Sequence, residues 1–188
     1  MPTPFAHTGL AVAITIATAP AGAAPPRQRL GTAALLVALA NAADLDFLPG
    51  LCTGNAIAYH HGVSHSLVFA LALGLLAARF TGRGPALLAA LSHPLLDWLT
   101  GEPGADAAIY GVQLFWPLPG RYMSALHVFG VYHIDALGLL GGVLAAEARR
   151  PLLREVAFVC ATLGAAGVVR SRTRPAPEPL APVAPADS

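Results

Sequence analysis

The chain has 188 residues, 55% of them hydrophobic and only 11% charged, with a formal net charge of +1. A soluble domain carries roughly 25% charged residues, so this chain has too little charge to cover an ordinary water-facing surface, and its mean hydropathy of +0.61 agrees. The near-neutral balance leaves no basic footprint for nucleic acid, and Cys52 and Cys160 are too far apart for a CxxC metal or redox motif.

Six apolar segments are predicted, near 5–24, 30–48, 63–79, 84–100, 132–148 and 154–170. The first holds a lone histidine, His7, near its start, and Ala21–Ala24 near its end resembles a signal-peptidase site. No Lys or Arg precedes the run, so it reads as an uncleaved span. The second segment ends in ADLDFLPG, with Asp44 and Asp46 two positions apart. That spacing does not share a helical face. At a fraying helix end both carboxylates can still turn to one centre, although the pair reads equally well as solvated charges ending a span.

The third segment is announced by HHGVSHS, which puts His60, His61 and His65 within six residues. Neutral imidazole is a common ligand of zinc, manganese and iron. Ser64 is expected to cap the helix that follows. The fourth segment ends in SHPLLDWLT, where His93 and Asp97 stack on one helical face at i, i+4. Asp97 there either ligates or orients His93, Pro94 implies a kink, and Thr100 is placed to end the helix and bond a carboxylate.

Residues 101–131 form a long connection with Phe115, Trp116 and Tyr122, suited to an interfacial lid. His127 reads as structural. His133 and Asp135 open the fifth segment, with no role assigned. From 172 to 188 the chain is rich in Pro, Ala and Ser and reads as a disordered tail, leaving one domain over 1–171. The expected fold is all-α, a polytopic membrane bundle of about five to six helices.

Most of these segments reach the roughly 20 residues of a span only by taking His and Asp into the membrane. Such residues are costly there and turn toward a protein interior. If every segment crosses, Arg27, Arg29, Arg79, Arg83, Arg149, Arg150 and Arg154 share one end, the cytoplasmic one by the positive-inside rule. The His and Asp motifs then converge on the other end. Arg170, Arg172 and Arg174 conflict with that scheme, because they follow the sixth segment.

An early His, then D-x-D, H-x-G-x-[ST]-H-S and S-H-x-x-x-D-x-L-T, with a looser match at Gly111 and Trp116–Pro117, resembles the inner-membrane metal-dependent hydrolases also described as LexA-binding and membrane-associated. The resemblance covers about residues 5 to 120. It implies metal ligation by His7, Asp44, Asp46, His60, His65, His93 and Asp97, and a likeness to zinc-dependent phospholipase C enzymes. One departure is His61, which stands where the family usually has Arg.

The expected cofactor is a divalent ion, zinc first and manganese or iron next, bound singly or as a pair. The expected chemistry is hydrolysis of a phosphoester or lipid-linked substrate at a membrane face on the non-cytoplasmic side, with Asp44, Asp46 or His61 as general base. Membrane lipid is the expected partner. The rivals are a transporter, whose polar groups should line a path through both leaflets, and a non-catalytic membrane protein that binds a partner and holds a purely structural metal.

Overall fold

The computed structural model describes residues 2–20, 25–54, 59–100, 111–118, 125–130 and 148–173. Helix α1 spans Pro4–Thr18 and begins with Pro at its first position behind Thr3, whose hydroxyl accepts from the Phe5 amide. Helix α2, Pro26–Asn41, passes into a tight 3-10 turn, Ala42–Asp46, and then into α3, Phe47–Cys52. A second 3-10 turn, Val63–His65, leads to α4, Leu67–Thr81. Gly82, at φ +86°, ends α4 and turns the chain into α5, Arg83–Trp98. Helix α6 spans Arg149–Thr173. Among the described residues there is no strand, only one isolated bridge between Thr100 and Phe129.

Small residues let the helices approach closely. A Cβ on Gly74 of α4 would stand 3.0 Å from Leu87 Cδ2 and 3.2 Å from the Ala86 carbonyl of α5. Ile14, Leu36, Leu39, Ala77, Ala86 and Ala89 form the core between α1, α2, α4 and α5. Outside it, the usual distribution is reversed. Leu75, Leu76 and Phe80 of α4 are 50%, 58% and 64% exposed, while His7, His65, His93 and Asp97 are at most 1% exposed. An apolar exterior around a charged interior is the pattern of a chain solvated by lipid.

One expectation about the segments changes. Among the described residues only Pro26–Cys52 and Arg149–Thr173 are long and apolar enough to cross a membrane. Helices α1 and α4 are apolar but have 15 residues each, a rise of about 22 Å against a hydrocarbon core of about 30 Å. Apart from Ala148, the fifth segment lies outside the described residues, as do His133, Asp135, Tyr122, most of the 101–131 connection and the tail from 174.

The direction of α6 also differs from the expected scheme. Glu155 accepts from Thr3 at the start of α1, and Arg170 donates to Ala19 and Pro20 just beyond its end. Helix α6 therefore runs parallel to α1. Its first residues, Arg149, Arg150 and Arg154, lie at the end where His7 sits, not with Arg27 and Arg29. Arg170 and Arg172 join the opposite end, so the arginines that stand against the expected scheme are now Arg149, Arg150 and Arg154.

Candidate metal centre

Four side chains from three elements meet at one point. Asp44 comes from the 3-10 turn after α2, His65 from the turn before α4, and His93 and Asp97 from α5. His65 Nε2 and His93 Nε2 are 3.1 Å apart. Asp97 Oδ2 is 3.3 Å from the first and 3.1 Å from the second. Asp44 Oδ1 is 3.6 Å and 3.4 Å from the same two nitrogens.

The other ring nitrogens decide what this means. His93 Nδ1 lies 2.6 Å from the Ala40 carbonyl, which can only accept, so the proton sits on Nδ1. His65 Nδ1 lies 3.1 Å from Asp46 Oδ2, again an acceptor. Each neutral ring then turns a bare Nε2 lone pair toward the other and toward two carboxylates. Neither carboxylate oxygen of Asp44 or Asp97 has a hydrogen-bond donor. Four lone pairs converging in a buried space repel unless a cation, either a proton on an imidazole or a metal ion, lies among them.

The spacing fits such an ion. Four donors at ~2.0–2.1 Å from one tetrahedral centre stand about 3.3 Å apart, and the five separations involving the two imidazoles run from 3.1 to 3.6 Å. Two carboxylates and two neutral imidazoles also balance a divalent charge, which a buried site requires. The donor set is all nitrogen and oxygen, suited to zinc, manganese or iron.

The remaining predicted residues surround this point. His7 is fully buried, stacks on His93 with ring centroids 3.9 Å apart, and places Nε2 3.5 Å from Asp97 Oδ1, the oxygen facing away from the four-donor set. Neither His7 nitrogen has a hydrogen-bond partner. Asp46 lies behind the imidazoles: its oxygens meet His60 Nδ1 at 2.7 Å, the Ser64 hydroxyl at 2.6 Å and His65 Nδ1 at 3.1 Å. Asp44 and Asp46 thus flank the His65 ring, one on each nitrogen, as the tight turn between them allows.

His61 takes φ +66°, so the HHGVSHS stretch is not helical as far as His65; the His61 and His65 rings still meet edge to face at 5.0 Å. His61 Nε2 is buried without a partner. Burial pushes His61 well below the ordinary histidine value and lowers His60 as well. Burial acts in the same direction on His65, but the carboxylates of Asp44, Asp46 and Asp97 outweigh it and hold that ring well above the ordinary value.

Two smaller expectations are corrected. The cap of α4 is Ser66, which accepts from the Phe69 amide at 3.1 Å. Ser64 is occupied by Asp46, because Val63–His65 forms its own turn. Thr100 bonds the Leu96 carbonyl at 3.1 Å rather than a carboxylate, since its side chain folds back along α5. The Ala40 carbonyl carries no signal in the sequence as a partner for His93. Glu155 did carry one, as an ionisable residue inside an apolar run.

Among the described residues, fold and site together define an all-helical apolar protein with buried His/Asp groups able to hold a metal ion. The chain belongs to the YdjM inner membrane protein family, whose profile matches residues 1–173. No curated protein and no solved structure matches it.

Proposed function

We propose that this protein is a polytopic inner-membrane hydrolase that uses a divalent metal centre, zinc first, to cleave phosphoesters of lipids or lipid-linked compounds. The observation that carries the reading is the convergence of Asp44 and Asp97 on His65 Nε2 and His93 Nε2 at 3.1–3.6 Å, with both Nδ1 atoms held from behind.

A bound divalent ion supplies an activated water and offsets the charge of a phosphoryl group. The chain's own residues do the rest. Ala40 and Asp46 fix the tautomers of His93 and His65. Asp97 offers its second oxygen to His7, making a neighbouring position for a second ion or for substrate. His61, kept neutral by burial and with Nε2 unpartnered, is the group placed to take a proton.

Arg149, Arg150 and Arg154 are exposed at the same end of the fold, which favours an anionic substrate arriving from the membrane surface. The opposite end carries Arg27, Arg29, Arg79, Arg83, Arg170 and Arg172. By the positive-inside rule that larger group supports a cytoplasmic opposite end and a metal centre on the non-cytoplasmic side.

A second reading has one observation in its favour: four protein donors meet around one point, the number a structural ion takes. Against it, His7, His61 and Asp97 Oδ1 stay unpartnered outside that set, a cost that a purely structural site has no reason to carry. The test is metal content and phosphodiesterase activity of detergent-purified protein on lipid substrates, with His61→Ala beside wild type. Hydrolysis that disappears in His61→Ala while metal is retained supports the enzyme. Metal retained with no hydrolysis of any phosphoester by the wild type favours the structural ion.

A further inference from the structure

Glu155 is fully buried in α6, one of the two helices able to cross a membrane. A carboxylate in such a place is expensive unless donors meet it. Here both come from one residue. The Thr3 amide donates to Oε1 at 2.9 Å and the Thr3 hydroxyl to Oε2 at 2.6 Å. Thr3 is the N-cap of α1, so the carboxylate also sits at the positive end of that helix.

The grip is repeated along α1. At its waist a Cβ on Gly9 would stand 2.5 Å from Val159 Cγ2, so the two helices are in close contact. At its far end Arg170 donates through both terminal nitrogens to the Ala19 and Pro20 carbonyls. The fifteen residues from Glu155 to Arg170 rise about 22 Å, the length of α1 itself. Helix α6 thus holds α1 by an acid at its head, a glycine contact at its waist and a base at its tail.

His7 lies one turn beyond Thr3. It approaches Asp97 to 3.5 Å and stacks on His93, but neither ring nitrogen is hydrogen-bonded, so no polar bond of the ring fixes its height. The next residue, Thr8, accepts a bond from Asn41 Nδ2 at 3.2 Å. A slip of α1 by a single residue would carry His7 about 1.5 Å along the axis, enough to take Nε2 out of reach of anything shared with Asp97.

We propose that Glu155 is a positioning residue for the metal centre: through Thr3 it sets the axial height of α1 and so holds the His7 ring against Asp97. The proposal rests on the metal-centre reading, but it has a consequence that needs no metal. In metal-free protein the ring resonances of His7, stacked on His93, depend on that height.

The experiment compares wild type, His7→Ala, Glu155→Ala, Glu155→Gln, Thr3→Val and the double variant His7→Ala/Glu155→Ala in detergent. Zinc affinity is measured by competition, and histidine ring spectra are recorded on 15N-histidine-labelled protein without metal. Glu155→Ala is expected to lower zinc affinity about 10- to 100-fold, to shift the His7 resonances, and to add nothing further in the His7→Ala background. Glu155→Gln keeps an acceptor for the Thr3 amide and a donor for its hydroxyl, so it should restore both readouts.

Thr3→Val removes one of the two bonds and should move the same signals less, which decides the matter if Glu155→Ala does not insert. Additive losses in the double variant, or unmoved His7 resonances in both Glu155→Ala and Thr3→Val, would overturn the proposal. Wild-type protein that binds no zinc overturns the metal-centre reading alone; the metal-free spectra then still decide the role of Glu155.

Discussion

Replacing Asp97 with Ala gives the sharpest test of the metal centre. Asp97 is fully buried and its Oδ2 stands 3.3 Å from His65 Nε2 and 3.1 Å from His93 Nε2, while Oδ1 faces His7 at 3.5 Å. Structural four-ligand zinc sites carry about 10–16 kcal/mol of binding free energy. A quarter share is about 2.5–4 kcal/mol, or roughly sixty- to seven-hundredfold in Kd. Asp97→Ala should therefore emerge from purification without metal, and His65→Ala likewise, while both still insert in the membrane. His127→Ala, half-buried and outside the constellation, should keep the wild-type content. The assay is elemental analysis of detergent-purified protein, followed by zinc competition. Full metal content in Asp97→Ala would falsify the ligand assignment, because no other acidic group in the site faces both imidazole Nε2 atoms together with His7.

Three further outcomes follow from the geometry. Asp46→Asn should weaken zinc by about 10- to 100-fold, the usual effect of losing an orienting partner, and Asp44→Asn by more; equal losses measured by competition would remove the distinction between ligand and support. Proton linkage has a definite sign. His65 is raised above its unfolded value, so in metal-free protein its contribution to stability is fully present below about pH 6.5 and is lost as pH rises through the folded value. Metal uptake between those limits must expel that proton, so affinity should rise up to tenfold per pH unit, and calorimetry in buffers of different ionisation enthalpy should detect the release. Finally, Cys52 is exposed at the end of α3, the helix that follows the Asp44–Asp46 turn, and Cys160 is exposed on α6. In a Cys160→Ser background, a membrane-impermeant maleimide added to spheroplasts should label Cys52; labelling only after lysis would put the site in the cytoplasm.

What the sequence revealed depended on how local each constraint was. His93 and Asp97 lie one helical turn apart, so their meeting could be read from spacing alone. Asp44 and Asp46 could be placed at a helix end, but not on opposite nitrogens of one ring, because that follows from a 3-10 turn packing against a second 3-10 turn. His7 by itself was an ordinary terminal histidine. Only the family pattern raised it, and the reason lies in the packing of α1 against α5, which stacks it on His93. The division between ligand and orienting carboxylate was beyond reach for the same cause: Asp46 differs from Asp44 in its neighbours, not in its type.

Topology failed for a different reason. Assigning α6 by alternation assumed that each apolar segment reverses the one before it. Charge counting then set Arg149, Arg150 and Arg154 against Arg170 and Arg172. The sequence held a better signal in Glu155, an acid in an apolar run that has to find donors inside the protein. Free donors inside an apolar bundle are scarce, and helix N-termini are the natural supply. Among the described helices longer than two turns, apart from the glutamate's own, the candidate starts are those behind Thr3, Pro25, Ser66 and Gly82. Thr3 offers an amide and a hydroxyl together. Pro25 has no amide proton to offer, Ser66 spends its hydroxyl on the Val63 carbonyl, and Gly82 spends its amide on Ala78. Pairing Glu155 with Thr3 forces α6 to start where α1 starts, and Arg170 then falls at the carbonyl end of α1 without further assumption. A buried acid is thus a stronger guide to helix direction here than the surface arginines, because it must be satisfied within a few ångströms and they need not be.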